Sequence, residues 1–154
     1  PKRNIATLMG WWEGVDVEPG RLDMIFDRRL SPLYGWLFPE GNGRVNIGIC
    51  VDGQDAKGRK VQRDLRGLFQ AFLDDHYRAA LSRATQVGGW KGHPIVHTSW
   101  IANITSPGAL RLGEAARVTH HATGEGISYA MKSAHVAAQA LSRHARPGPR
   151  PGDR

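Results

Sequence analysis

Cysteine is nearly absent from this 154-residue chain: Cys50 stands alone. One thiol excludes any internal disulfide, and a chain built without disulfides suits a reducing, cytoplasmic setting. Long apolar runs are also missing. No stretch approaches the ~20 apolar residues of a membrane span, and "PKRNIATLMGWW" lacks the apolar core of a signal peptide. Acidic residues are scarce beside basic ones, 14 against 21, which gives a formal net charge of +7. That balance attracts polyanions in general: nucleic acid, acidic membrane, or a phosphorylated cofactor or substrate. Much of the excess lies in "KGRKVQR" (Lys57–Arg63) and the tail "RHARPGPRPGDR". Neither carries interleaved aromatics, which argues against nucleic acid. Residues 145–154, rich in Pro, Gly and Arg, read as a disordered basic tail. Metal is not indicated either, since His93 with His97 and His120 with His121 find no carboxylate or thiol cluster to complete a tetrahedral set.

What is present is alternation. Leu22, Met24 and Phe26 alternate with Asp23 and Asp27, as in a half-buried strand. Tyr34, Trp36 and Phe38 alternate with Gly35 and Leu37. Beyond the turn "PEGNGR", Val45, Ile47, Ile49 and Val51 alternate with Asn46, Gly48 and Cys50, so the two runs predict a hairpin. The loop length leaves its register open: the aromatics either pair with branched residues or lie over small ones. "NIATLMGWWEGV" reads as a helix end and a loop. Val61, Leu65, Leu68, Phe69, Phe72, Leu73 and Leu81 fall at helical spacing. "VGGWKGHP" reads as a glycine-rich bend before a short strand "IVHTSW", and "ALRLGEA" as a buried strand ending at Gly113. A long helix then follows Gly126. Antiparallel strands followed by mixed strand and helix predict an α+β fold.

The stretch "LRLGEAARVTHHATGEGISYAMKSAHVAAQAL" carries the most chemistry. A helix start exposes unpaired N–H groups and about half a positive charge, which suits an anion. Gly124 and Gly126 keep side chains away from that tip, Glu114 is placed to accept hydrogen bonds from ligand hydroxyls, and Ala130, Ala134, Ala137 and Ala138 allow close packing on a sheet. The residues alone fit equally a glycine-capped core helix. The spacing is not a dinucleotide fingerprint, because Tyr129 stands where the third small residue belongs. Tyr34, Trp36 and Phe38 alone fit an ordinary core face.

Order and sequence together resemble the geranylgeranyl reductase family, within the FAD-dependent oxidoreductases shaped like p-hydroxybenzoate hydroxylase. That family carries Gly-Asp-Ala-Ala-Gly, then Pro-x-x-Gly-Glu-Gly-Ile and a small-residue helix. Here stand Gly113-Glu114-Ala115-Ala116-Arg117 and His121-Ala122-Thr123-Gly124-Glu125-Gly126-Ile127. "PLYGWLFPEGNGRVNIGI" resembles the family's Tyr-x-Trp-x-Phe-Pro motif with its Asn-x-Gly strand, and "WWEGV" its aromatic-Glu-Gly stretch. The likeness covers about residues 5–142. It implies FAD as cofactor, held by Gly113, Glu114, Thr123, Gly124, Glu125, Gly126 and Ile127, with the amides of 124–127 facing the flavin. It implies that Tyr34, Trp36 and Phe38 help wall a cavity for a prenyl or other hydrophobic substrate, Gly48 leaving room for a flat ring. Peripheral membrane contact is in keeping with such a substrate.

The chain departs from the family at Glu114 for Asp, Arg117 for Gly and His121 for Pro, and it contains no Gly-x-Gly-x-x-Gly. It therefore reads as a C-terminal half: residues 1–100 a substrate-binding sheet and helix, 101–144 a flavin-capping strand and helix. A non-catalytic interaction module and a flavin monooxygenase are the alternatives.

Overall fold

A computed structural model describes residues 3–54, 57–97, 103–120 and 123–144. Five antiparallel strands form the main sheet: β1 (Arg3–Glu13), β2 (Asp23–Ile25), β3 (Gly35–Gly41), β4 (Arg44–Asp52) and β5 (Thr85–His97), in the spatial order β2-β3-β4-β1-β5. Helix α1 (Leu65–His76) covers one face, and a two-stranded ribbon pairs β6 (Thr105–Ser106) with β7 (Ala109–Leu110). A 3-10 turn (Gly113–Ala116) and helix α2 (Ile127–His144) follow. The α+β class expected from the alternating runs is the fold observed.

The β3–β4 hairpin settles the register that its loop left open. Trp36 stands opposite Gly48 and Phe38 opposite Asn46, while Leu37 pairs with Ile47 and Gly35 with Ile49. Aromatics therefore lie over small residues on one face, and branched residues gather on the other. The branched face, with Leu37, Val45, Ile47, Ile49 and Val51, packs against Phe69, Phe72 and Leu73 of α1. Gly35 makes this contact close: a Cβ there would stand 2.3 Å from the Phe72 ring.

Five readings need correction. "NIATLMGWWEGV" is not a helix end but β1, second from one edge of the sheet and hydrogen-bonded on both sides. Leu8 and Trp12 face the α1 core, whereas Ile5 joins the opposite cluster with Trp36 and Cys50, so both faces are buried and alternation disappears. The bend at "VGGWKGHP" belongs to the 13-residue strand β5, which passes it with a register shift opposite Met9–Trp11, where Gly88 takes φ +70°. Pro94 is tolerated because β5 is an edge strand with one unpaired side. The buried strand expected at "ALRLGEA" is instead the exposed two-residue β7, and Gly113 opens the 3-10 turn. Helix α2 buries no residue, so its alanines do not seat it on the sheet: it meets the 3-10 turn instead, with Ala130 opposite Gly113 and the Ser133 hydroxyl accepting the Gly113 N–H at 3.0 Å. Helix α1 is also shorter than its apolar spacing suggested. It starts at Leu65 because the Asp64 side chain accepts the Gly67 N–H at 2.9 Å and caps it.

Strand β2 and the segment that follows it are fastened by Asp23 and Asp27. Arg29 donates to Asp27 through Nε at 3.0 Å, its second guanidinium nitrogen and its backbone N–H, and His76 Nε2 lies 3.1 Å away. The Arg29 hydrogen bonds hold the Asp27 carboxyl well below the usual carboxylate range, with the backbone N–H and His76 helping. The Arg21 hydrogen bonds lower Asp23 in the same way, helped by the Tyr77 hydroxyl. Depressed folded-state values give stability that is present above the unfolded carboxyl pKa of about 3.9 and is lost as pH falls below it. Melting temperature is expected to drop as pH goes from 5 to 2, and Asp27→Asn to flatten that drop. Identical acid profiles for the two proteins would show that this carboxylate is not responsible.

Candidate functional site

The aromatic face of the sheet meets the loop before α2. Tyr34, Trp36 and Phe38 form a continuous ladder, with ring centroids 6.3 and 5.9 Å apart. Trp36 Nε1 donates to Asn46 Oδ1 at 2.7 Å, and Asn46 Nδ2 donates to Gly10 O at 3.1 Å. This buried relay lays the indole on Gly48, where a Cβ would stand 2.3 Å from Cζ2. The room expected at Gly48 for a flat ring is thus taken by Trp36 itself. At the end of the ladder, Tyr34 Oη donates to Thr123 O at 2.6 Å, which joins the sheet to the Gly-Glu-Gly turn. Burial raises Tyr34 and also Cys50, whose thiol donates to Tyr34 O at 3.1 Å. Cys50 is the small buried side chain its alternating position predicts.

Around that turn lies a hollow of about 320 Å³, lined by Ile95, Glu114, Thr119, Gly124, Gly126, Ile127 and Ala130. Its volume lies at the low end of ligand pockets, roughly 300–1,000 Å³. Glu114 sits on the rim and also borders a second hollow with Val96, Ala115 and Arg117. Its carboxylate accepts the Val96 N–H at 3.4 Å and faces His93 Nε2 at 3.9 Å, which ties the 3-10 turn to β5. The structure thus gathers Gly113, Glu114 and Thr123–Ile127 beside Ile95, and it connects them to the aromatic ladder through Tyr34.

The glycines have structural reasons of their own. Gly113 and Gly124 take φ +54° and +70°, where a side chain is strained. A Cβ on Gly113 would also stand 3.1 Å from that of Ala130. Arg117 holds φ +57° at the end of the 3-10 turn, a left-handed conformation that favours glycine. His121 lies outside the described residues.

Three of the four amides expected to face a ligand are engaged within the chain. Gly124 N–H donates to His120 O at 2.8 Å and Glu125 N–H to Thr123 Oγ1 at 3.3 Å. Glu125 turns its carboxylate onto the helix start, accepting the Ser128 N–H and hydroxyl, both at 2.8 Å, and also the Ile127 N–H. The Ser128 backbone bond, then its hydroxyl, hold Glu125 below its usual pKa. The positive end of α2 therefore already meets a carboxylate of its own.

Ile95, Thr119 and Ala130 were not legible as site residues. Thr119 carries no motif. Ile95 lay in the segment read as following a bend, where strand alternation through β5 would have placed it on the face shared by Ile5 and Thr7.

The profile of the geranylgeranyl reductase catalytic domain matches residues 6–89, more than half of the chain. The chain belongs to the geranylgeranyl reductase family. It is 28% identical over 130 residues to the digeranylgeranylglycerophospholipid reductase of Methanoculleus marisnigri, covering 84% of this chain and 31% of that protein. It is 29% identical over 123 residues to the menaquinone reductase of Mycolicibacterium smegmatis, covering 74% and 27%. A geranylgeranyl bacteriochlorophyll reductase-like structure from Thermoplasma acidophilum superposes with TM-score 0.74 at 26% identity, covering 92% of this chain and 34% of that one. The flavin-dependent brominase Bmp2 shares the fold at TM-score 0.67 and 14% identity, covering 91% and 36%. The chain thus spans about a third of the length of these relatives. Geranylgeranyl reductases and flavin-dependent halogenases are FAD-binding families.

Proposed function

We propose that this chain is the substrate-binding and flavin-capping part of an FAD-dependent oxidoreductase that reduces carbon–carbon double bonds of a prenyl or other hydrophobic substrate. Residues 1–100 supply the substrate sheet and 101–144 the flavin cap. The observation that carries the reading is the junction at Tyr34, where the aromatic ladder meets the Thr123–Gly124 turn beside the hollow rimmed by Glu114. The relatives named for reducing a prenylated phospholipid and menaquinone support the substrate class.

The residues fit the cofactor on one count above all. The Glu114 carboxylate, with 47% of its side chain exposed, keeps acceptor capacity for hydroxyls on the hollow's rim while Val96 fixes its direction. Gly113, Glu114, Thr123, Gly124, Glu125, Gly126 and Ile127 would hold the flavin, and FAD when bound supplies the hydride. The chain's own residues bind and orient: Ile95, Ile127 and Ala130 line the hollow with apolar area, and Tyr34, Trp36 and Phe38 offer apolar area to the substrate. A substrate of this kind resides in lipid, so peripheral membrane contact belongs to the same proposal.

The test uses the full-length protein that carries this segment. It is expected to purify with a flavin absorption spectrum. Glu114→Ala is expected to weaken FAD binding roughly tenfold, from the loss of hydrogen bonds to a charged acceptor. A colourless parent that ignores added FAD, or one whose FAD titration does not respond to Glu114→Ala, would sink the assignment.

A further inference from the structure

The glycines of the Gly-Glu-Gly turn give it no shape of their own, since glycine adopts left- and right-handed backbone about equally readily. Yet Gly124 is fixed at φ +70° with its N–H on His120 O at 2.8 Å, and His120 gives its own N–H to Glu125 O at 2.8 Å. The ring of the same residue closes the turn from inside. His120 Nδ1 accepts the Thr123 N–H at 3.3 Å and lies 2.9 Å from Thr123 Oγ1. A ring nitrogen that accepts a backbone N–H carries no hydrogen, so the Thr123 hydroxyl donates to it as well, and the imidazole N–H is at Nε2. Thr123 Oγ1, its hydrogen so directed, accepts the Glu125 N–H at 3.3 Å. The face of the ring stacks on Tyr129 in the first turn of α2, with centroids 5.8 Å apart and planes at 28°. From the sheet side, Tyr34 Oη donates to the Thr123 carbonyl. Every polar atom of Thr123 is therefore held, and the ring nitrogen of His120 holds two of them.

We infer that His120 is a positioning residue for the cofactor-facing turn: its Nδ1, acting as an acceptor, holds residues 123–125 on the path that brings Gly124 and Gly126 to the hollow that Glu114 also lines. The inference rests on the flavin reading and adds to it the group that shapes the turn before a ligand arrives. Gly124 and Gly126 line that hollow with bare backbone, which a ligand approaches closely only if the backbone is already in place. A turn ordered in advance spares the ligand the entropy of ordering it. The backbone bonds of residue 120 survive a change of side chain, whereas the Nδ1 acceptor does not. Two substitutions separate what the ring does. Phenylalanine keeps a ring for Tyr129 and loses the acceptor; asparagine loses the ring and keeps an acceptor, since its Oδ1 stands one bond beyond Cγ as Nδ1 does.

The test uses the full-length protein that carries this segment. By titration, FAD affinity is expected to fall roughly tenfold in His120→Phe and to stay within roughly threefold of the parent in His120→Asn. A lower melting temperature for flavin-free His120→Phe with unchanged FAD affinity would make the residue a structural staple only and overturn the inference. Equal losses in both variants would assign the effect to the stacked ring and overturn it too. Should His120→Phe fail to fold, Thr123→Val removes the hydroxyl that Nδ1 holds; a smaller loss in the same direction is expected, and unchanged affinity overturns the inference. Nitrogen-15 spectra of the ring in alkaline buffer, which need no flavin, should show hydrogen on Nε2 and none on Nδ1; a hydrogen on Nδ1 overturns the inference whatever FAD does. A parent that ignores FAD sinks the flavin reading and this role with it. A parent that binds FAD and responds to Glu114→Ala, but not to His120→Phe, leaves the flavin reading standing and overturns this inference alone.

Discussion

Replacing Phe72 by alanine is expected to lower unfolding free energy by about 3–5 kcal/mol, the range for removing a fully buried aromatic ring. Phe72 is 1% exposed, and its ring fills the notch over Gly35 where β3 passes under α1. Its neighbours do not close the gap readily. Phe69 is committed edge-on to Trp12 and Trp90, Tyr77 is held by Asp23, and Gly35 has no side chain to offer. The geometry also predicts non-additivity. Gly35→Ala alone drives a Cβ to 2.3 Å from the ring and should destabilise the chain; in the Phe72→Ala background the same methyl enters empty space and should cost little or help. Urea denaturation of the two single variants and the double variant decides. Additive losses would mean that the notch is not where the helix is held.

This pair also shows how far the sequence could be read. The α1 residues were legible because one face of the helix is apolar and the other wet, so a single period survives. The same holds for β3 and β4, whose two faces differ in kind: large against small on one, branched on the other. β1 was not legible, because a strand buried on both faces has no polar phase to reveal a period of two. β5 was obscured differently. Its glycines and Pro94 are turn residues by composition, yet the edge position and the register shift let a strand absorb them. The site divided along similar lines. Glu114 and the Gly-Glu-Gly turn stood out as a motif, and the structure sets both around one hollow and ties the turn to Tyr34 through Thr123. That Glu125 would turn its carboxylate onto the start of α2 could not be seen, since it depends on the backbone path and not on residue type. Leu22, Met24 and Phe26 were visible as alternation, but alternation alone does not say which phase faces water, and here the apolar phase is the exposed one.

Gly48→Val is expected to cost about 2–5 kcal/mol, combining overpacking with the loss of a buried hydrogen bond. The backbone at Gly48 does not demand glycine by its φ; the neighbour does, since the first added carbon would stand 2.3 Å from the Trp36 indole. Trp36 cannot slide sideways freely. Phe38 stacks on one side of it and Tyr34 meets the other, and Nε1 is tied to Asn46, which is tied in turn to Gly10. Pushing the ring away leaves buried donors and acceptors on two strands without partners. Trp36→Leu should recover part of the loss in the double variant, because a smaller side chain vacates the space that valine needs while Asn46 remains short of its donor. If Gly48→Val melts within a degree or two of the unaltered chain, the indole is not seated on this glycine. In the full-length protein the Gly48→Val variant should raise KM for a prenyl substrate more than it lowers kcat, because the displaced ring belongs to the apolar ladder and not to the rim near Glu114. A fall in kcat alone would place Trp36 beside the reacting atoms instead of along the chain that leads to them.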